Sequence, residues 1–135
     1  MGKVIQVVAA ALIKENKVLL ASRPANKSYT GFYEFPGGKI ELGESAPVAL
    51  ARELKEELGI IVELNDLLEL LVLKQEYPEY TVELAVLQIN KWSGEIKNLE
   101  NQEFYWQQIG KPCMLSQVLP TTTKILEQLN LHGNI

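Results

Sequence analysis

Apolar positions along this 135-residue chain change period several times, and each change marks an element. An apolar run over residues 4–13, broken by Gln6, gives way to the polar turn Lys14-Glu15-Asn16-Lys17 and then to a second apolar run, Val18-Leu19-Leu20-Ala21. This predicts a β-hairpin with strands over 4–13 and 17–22 rather than a secretory leader. Residues 23–30 are polar, with Pro24, Asn26 and Ser28, and predict a loop. A short strand is expected over 32–35, stopping at Pro36-Gly37-Gly38. Residues 67–76 and 80–89 are rich in apolar and β-branched side chains and flank Tyr77-Pro78-Glu79, the pattern of a second hairpin. Residues 92–101 read as loop, with a turn at Ser93-Gly94, and 104–109 as a last strand.

Two stretches carry helical spacing. Over 45–58, Ser45 suits the N-cap, Pro47 is tolerated in the first turn, and Gly59 supplies the stop. Ala51, Leu54 and Leu58, with Pro47, form an apolar stripe. A closing helix is expected over 121–131, capped by a threonine, with Ile125, Leu126 and Leu129 inward. Strands around two helices, with no repeat and no Pro/Gly/Ser linker, indicate one α+β domain spanning residues 1–135.

The first of these helices also carries chemistry. Glu53, Glu56 and Glu57 recur at i, i+3 and i+4 and so share one helix face, which the wheel places roughly opposite the apolar stripe. Crowded carboxylates repel one another, and a hard divalent cation with oxygen ligands resolves that conflict. Upstream, Gly37-Gly38-Lys39 allows close backbone approach, with carbonyls to offer a metal and N–H groups or Lys39 to offer phosphate. An acidic helix face or a glycine pair alone is more often a solvated surface and a turn.

Together, the spacing Gly38-(five residues)-Glu44-(seven residues)-Arg52-Glu53-Leu54-Lys55-Glu56-Glu57-Leu58-Gly59-Ile60 resembles the Nudix box at all nine of its specified positions. Outside the box, Val7-Val8-Ala9-Ala10, residues 19–24 and 31–38, Glu100-Asn101-Gln102, Trp106 and Leu119-Pro120 are similar to MutT-type nucleotide pyrophosphohydrolases. The resemblance implies a mixed β-sheet sandwiched between α-helices. It also implies a magnesium site, with manganese as a substitute, held by Glu53, Glu56, Glu57, the Gly37 carbonyl and Glu100. Arg52 and Glu44 would orient Glu53. Arg23, Gly38 and Lys39 are candidates for phosphate or base contacts, and Phe35 for packing against the base. The reaction implied is attack of water on a nucleoside triphosphate to give monophosphate and pyrophosphate, with a glutamate taking the proton.

An oxidised purine such as 8-oxo-dGTP is the leading substrate, with nucleotide-pool sanitation as the role, and a CTP- or dCTP-like pyrimidine is next. The choice turns on Pro120-Thr121-Thr122-Thr123. MutT-like proteins place a base-reading Asn where Thr122 stands, and a hydroxyl lacks the bidentate pattern of an amide. An Arg expected near Tyr80 is also missing. A catalytically idle nucleotide sensor is the alternative from another class, against which the intact acids argue.

Composition narrows the partners. A net charge of −4 disfavours a non-specific grip on nucleic acid polymers. No apolar run reaches the roughly 18 residues that span a membrane. One Cys (Cys113) and one His (His132) are too few for a zinc site or an internal disulfide, and both read as incidental residues of a cytoplasmic protein. The expected partner is a small nucleotide, bound by a monomer or homodimer.

Overall fold

The computed structural model describes residues 2–133, the side chains of 132 and 133 excepted, so the reading of His132 lies outside the described residues. The long strand β1 (Lys3–Lys14) is the spine. Beyond Gln6 its apolar run is buried on both faces: Val8, Ala10 and Leu12 enter one core cluster, and Ala9 and Ala11 enter the other. The last residues of β1 pair with β2 (Lys17–Ser22) across the Glu15-Asn16 turn. β2 is flanked by the short β3 (Tyr33–Glu34) and by β7 (Phe104–Gln108). Elsewhere β1 runs parallel to β6 (Tyr80–Ile89), which pairs antiparallel with β5 (Leu67–Glu76). The result is the mixed α+β sheet expected.

Two helices close its faces. α1 (Ala46–Leu58) sets Ala49, Leu50, Leu54 and Leu58 on the first cluster. α2 (Pro120–Gly133) sets Ile125, Leu126 and Leu129 on the second. The Ser45 hydroxyl accepts the Val48 N–H at 3.3 Å, and Gly59, at φ 69°, donates to the Lys55 carbonyl. Both ends of α1 are therefore capped as the sequence predicts.

Three expectations change. The Gly37-Gly38 pair does not end a strand; it forms one, β4 (Gly37–Lys39), antiparallel to residues 7–9 of β1. A Cβ on Gly37 would fall 2.0 Å from the Val8 carbonyl oxygen, so only glycine lets the two backbones meet. The acids of α1 do not lie opposite its buried stripe. Ala49 and Leu50, absent from the predicted stripe, are buried, and Glu57 is buried with them. Finally, α2 starts at Pro120, where the Thr123 N–H meets the Leu119 carbonyl, so the threonines fill the first turn instead of capping it.

Leu54 is fully buried between α1 and β1. We expect Leu54→Ala to lower unfolding stability by about 2–5 kcal/mol, read as a lower urea midpoint at unchanged m-value.

Candidate active site

The site grows from the contact between α1 and β4. Packing of Leu50, Leu54 and Leu58 fixes the rotation of α1, and that rotation aims Glu53 and Glu57 inward. A Cβ on Gly38 would lie 2.4–2.6 Å from the carboxyl atoms of Glu53, so the glycine vacates the space that this carboxylate fills.

Glu57 is the most confined acid, 8% exposed, and its Oε2 has no hydrogen-bond partner. Burial pushes its carboxyl up to about 8, helped by the charges of Glu53, Glu100 and Glu34. Burial also raises Glu53, against the pull of Arg52. Glu56 stands outermost and exposed, 3.7 Å from Arg52.

Arg52 is the clamp among these acids. Its Nε and Nη2 each donate to Glu44 at 2.8 Å, its Nη1 donates to Glu53 at 2.9 Å, and Nη2 also reaches the Lys39 carbonyl at 3.2 Å. The fork on Glu44, joined by the Glu41 N–H, holds the Glu44 carboxyl down at about 2. Arg52 therefore ties the loop before α1 to the acid that faces Gly38.

The remaining candidates fall in different places. Glu100 sits on an exposed loop and is one of the charges acting on Glu57. Arg23 is already committed: Nη1 donates to Glu34 at 2.9 Å and Nε to the Ser28 carbonyl. Lys39 is exposed, and its ammonium has no hydrogen bond or ion pair among the described residues. Phe35 is 5% exposed in the second core cluster. Thr122 is 1% exposed, and its hydroxyl donates to the Tyr33 carbonyl at 3.0 Å. The sequence reading missed Glu34 and Lys27. Glu34 is held by Arg23, and burial raises its carboxyl; Lys27 is a cation within electrostatic reach of Glu34, Glu53 and Glu57. The sequence signal for Glu34 is an acid three residues ahead of the glycine pair.

A model of the NUDIX domain matches residues 4–126. The chain belongs to the Nudix family. It is 33% identical over 128 residues to an 8-oxo-dGTP diphosphatase of Haemophilus influenzae, covering 94% of this chain and 92% of that one. It is 36% identical over 104 residues to a CTP pyrophosphohydrolase of Escherichia coli, covering 77% and 76%. The solution structure of the E. coli ORF135 protein superimposes with a TM-score of 0.82 at 31% identity, covering 98% of this chain and 92% of that one. A MutT Nudix hydrolase from Burkholderia pseudomallei also reaches 0.82, at 25% identity and 93% and 98% coverage. This protein is thus a MutT-like Nudix hydrolase, a pyrophosphohydrolase on the expected fold. No helix among the described residues is long and apolar enough to cross a membrane.

Nudix hydrolases generally use divalent metal ions, and the donors here fit one. Among the described residues no three acids converge as a closed cage. However, magnesium commonly takes only one or two carboxylates besides water and substrate phosphates. A buried, partnerless carboxylate oxygen beside further acids is an all-oxygen set short of a cation.

The raised Glu57 carboxyl has a measurable consequence. Between about 4.5 and about 8 the folded protein keeps a proton that the unfolded chain releases. Without metal, the stability tied to Glu57 is therefore full below pH 4.5 and is lost as pH climbs through 8. Glu53 and Glu34 are raised as well and act with the same sign, whereas the depressed Glu44 acts only below pH 4.5. In chelator-treated protein we expect the urea midpoint to fall from pH 5 to pH 8, and Glu57→Gln to flatten much of that slope.

Proposed function

We propose that this Nudix hydrolase uses magnesium, replaceable by manganese, to hydrolyse a nucleoside triphosphate to a monophosphate and pyrophosphate. The observation that carries this reading is the buried, unpaired Glu57 oxygen beside Glu53, which itself fills the space left by Gly38. Glu53, Glu56, Glu57, Glu100 and the Gly37 carbonyl would hold the metal. When bound, that ion supplies charge neutralisation for the polyphosphate and a lower pKa for attacking water.

The chain's own residues do the rest. A glutamate of this group accepts the water proton. The water oxygen bonds to the β-phosphorus, the bridge to the α-phosphate breaks, the monophosphate leaves, and the pyrophosphate keeps the new oxygen. Arg52, clamped to Glu44, keeps Glu53 in the orientation this needs. Gly38, Lys39 and Lys27 would face phosphate, and Arg23, held by Glu34, would face the base.

For the base, we take an oxidised purine such as 8-oxo-dGTP as the first reading, supported by relatives of that activity such as the one in Haemophilus influenzae. A specific observation favours a CTP- or dCTP-like second reading. Thr122 is buried, and its hydroxyl is spent on Tyr33, so it offers no paired donor and acceptor to a purine edge.

A panel of 8-oxo-dGTP, dGTP, CTP and dCTP with pyrophosphate detection tests both readings. We expect monophosphate and pyrophosphate, activity abolished by chelator, and a drop of at least about 100-fold in kcat for Glu57→Gln with the fold retained. Diphosphate plus phosphate as products, or normal turnover in Glu57→Gln, would contradict the assignment. A tenfold preference for CTP over 8-oxo-dGTP in kcat/KM would select the second reading.

A further inference from the structure

Glu100 poses a positional problem. It lies on an exposed loop, yet its charge reaches buried Glu57 on another element. An exposed loop carboxylate is normally free to swing, and a ligand or base must be held within fractions of an ångström.

The loop is fastened at both ends. On one side it docks on the end of α1: the Lys97 N–H donates to the Leu58 carbonyl at 2.9 Å and the Leu99 N–H to the Glu57 carbonyl at 3.3 Å. These two bonds satisfy carbonyls that the helix end leaves free. They also place Glu100 one residue beyond a direct link to the backbone of Glu57. On the other side the loop docks on β2. The Gln102 amide donates to the Ser22 carbonyl at 2.9 Å, the Glu103 N–H to the Ser22 hydroxyl at 2.8 Å, and the Ser22 N–H to the Glu103 carbonyl at 2.9 Å. Between the anchors, Asn98 closes residues 98–102 into a ring. Its Oδ1 accepts the Gln102 N–H at 2.8 Å, and its amide donates to the Gln102 carbonyl. Asn101 completes the turn at φ 53°, a conformation asparagine tolerates. Gln102 is 8% exposed, so its amide bond is shielded from competing water, whereas Glu100 sits at the exposed apex.

We propose that Gln102 is a positioning residue: its buried amide, with the Asn98 ring, locks the 98–102 turn onto β2 and so holds the Glu100 carboxylate against the acids of α1. The idea rests on the reading above that Glu100 serves the metal site. Gln102 touches neither substrate nor reacting atoms; it acts through Glu100.

A double-mutant cycle tests this, since residues acting through one group give non-additive losses. Glu100→Gln, Gln102→Ala and the double variant are compared by kcat, by KM and by manganese(II) affinity from electron paramagnetic resonance with the metal alone. We expect each single variant to lose at least about tenfold in kcat and in manganese affinity, with KM changed less than threefold. The double variant should be no worse than Glu100→Gln within about threefold. Multiplying losses, or unchanged manganese affinity in Gln102→Ala, would overturn the proposal. Should Gln102→Ala fail to fold, Asn98→Ala at an exposed position takes its place in the cycle, with the same outcomes. If Glu100→Gln binds manganese and turns over normally in an active enzyme, the inference falls while the proposed function stands. If the protein cleaves no nucleoside triphosphate but both single variants lose manganese equally, the inference stands and the proposed function falls.

Discussion

The carboxylate of Glu53 occupies the volume that any side chain at position 38 would need. Most of the site follows from that exclusion. β4 must pass between the backbone of β1 on one side and the acids of α1 on the other. Gly37 gives it clearance toward Val8, and Gly38 gives it clearance toward Glu53. A thicker strand would push α1 off the sheet. The fully buried Leu50, Leu54 and Leu58 resist such a shift, because lost apolar burial costs about 25 cal/mol per Å². The hydrophobic seat of the helix and the glycine pair thus set the position of the acids between them.

That position is electrostatically unfavourable in the bare protein. Burial raises Glu57, Glu53 and Glu34, and neighbouring acids raise Glu57 and Glu53 further. Arg52 offsets part of this by joining Glu44 and Glu53, but its guanidinium stands a quarter exposed and reaches Glu56 only at 3.7 Å. Glu57 receives no such help, and its Oε2 stays unsatisfied. Polar groups that a fold leaves buried without partners are uncommon, and they concentrate where a ligand completes the set.

Much of this was legible in the sequence, for identifiable reasons. The apolar runs of β1, β2, β5 and β6 are long and bounded by polar turns, so their limits show within a residue. Both caps of α1 are local and depend only on Ser45 and Gly59. What escaped the reading is what depends on tertiary placement. A glycine pair looks like a bend until a second strand lies 2.0 Å from where its Cβ would stand. The helical wheel of α1 offers the Ala51/Leu54/Leu58 stripe and hides that Glu57 adjoins Leu50, because the sheet covers a wider arc than the stripe suggests. Thr122 reads as a residue facing the base until Tyr33 takes its hydroxyl. Arg23 reads as a phosphate ligand until Glu34, eleven residues on, claims it.

The distribution of cations then bears on how an acidic protein admits a polyphosphate. The two arginines, the residues best suited to grip phosphate bidentately, are both held by acids, Arg23 by Glu34 and Arg52 by Glu44 and Glu53. Lys27 and Lys39 remain, both exposed, and Lys27 acts on Glu34, Glu53 and Glu57. Two exposed ammonium groups fall short of the charge that a triphosphate carries, so a bare triphosphate beside ionised acids would meet repulsion at close range. Under the proposed function, the divalent ion would supply the missing counter-charge. The chain's part in that reading is the pair Glu53 and Glu57, seated by α1, whose mutual repulsion a cation would relieve.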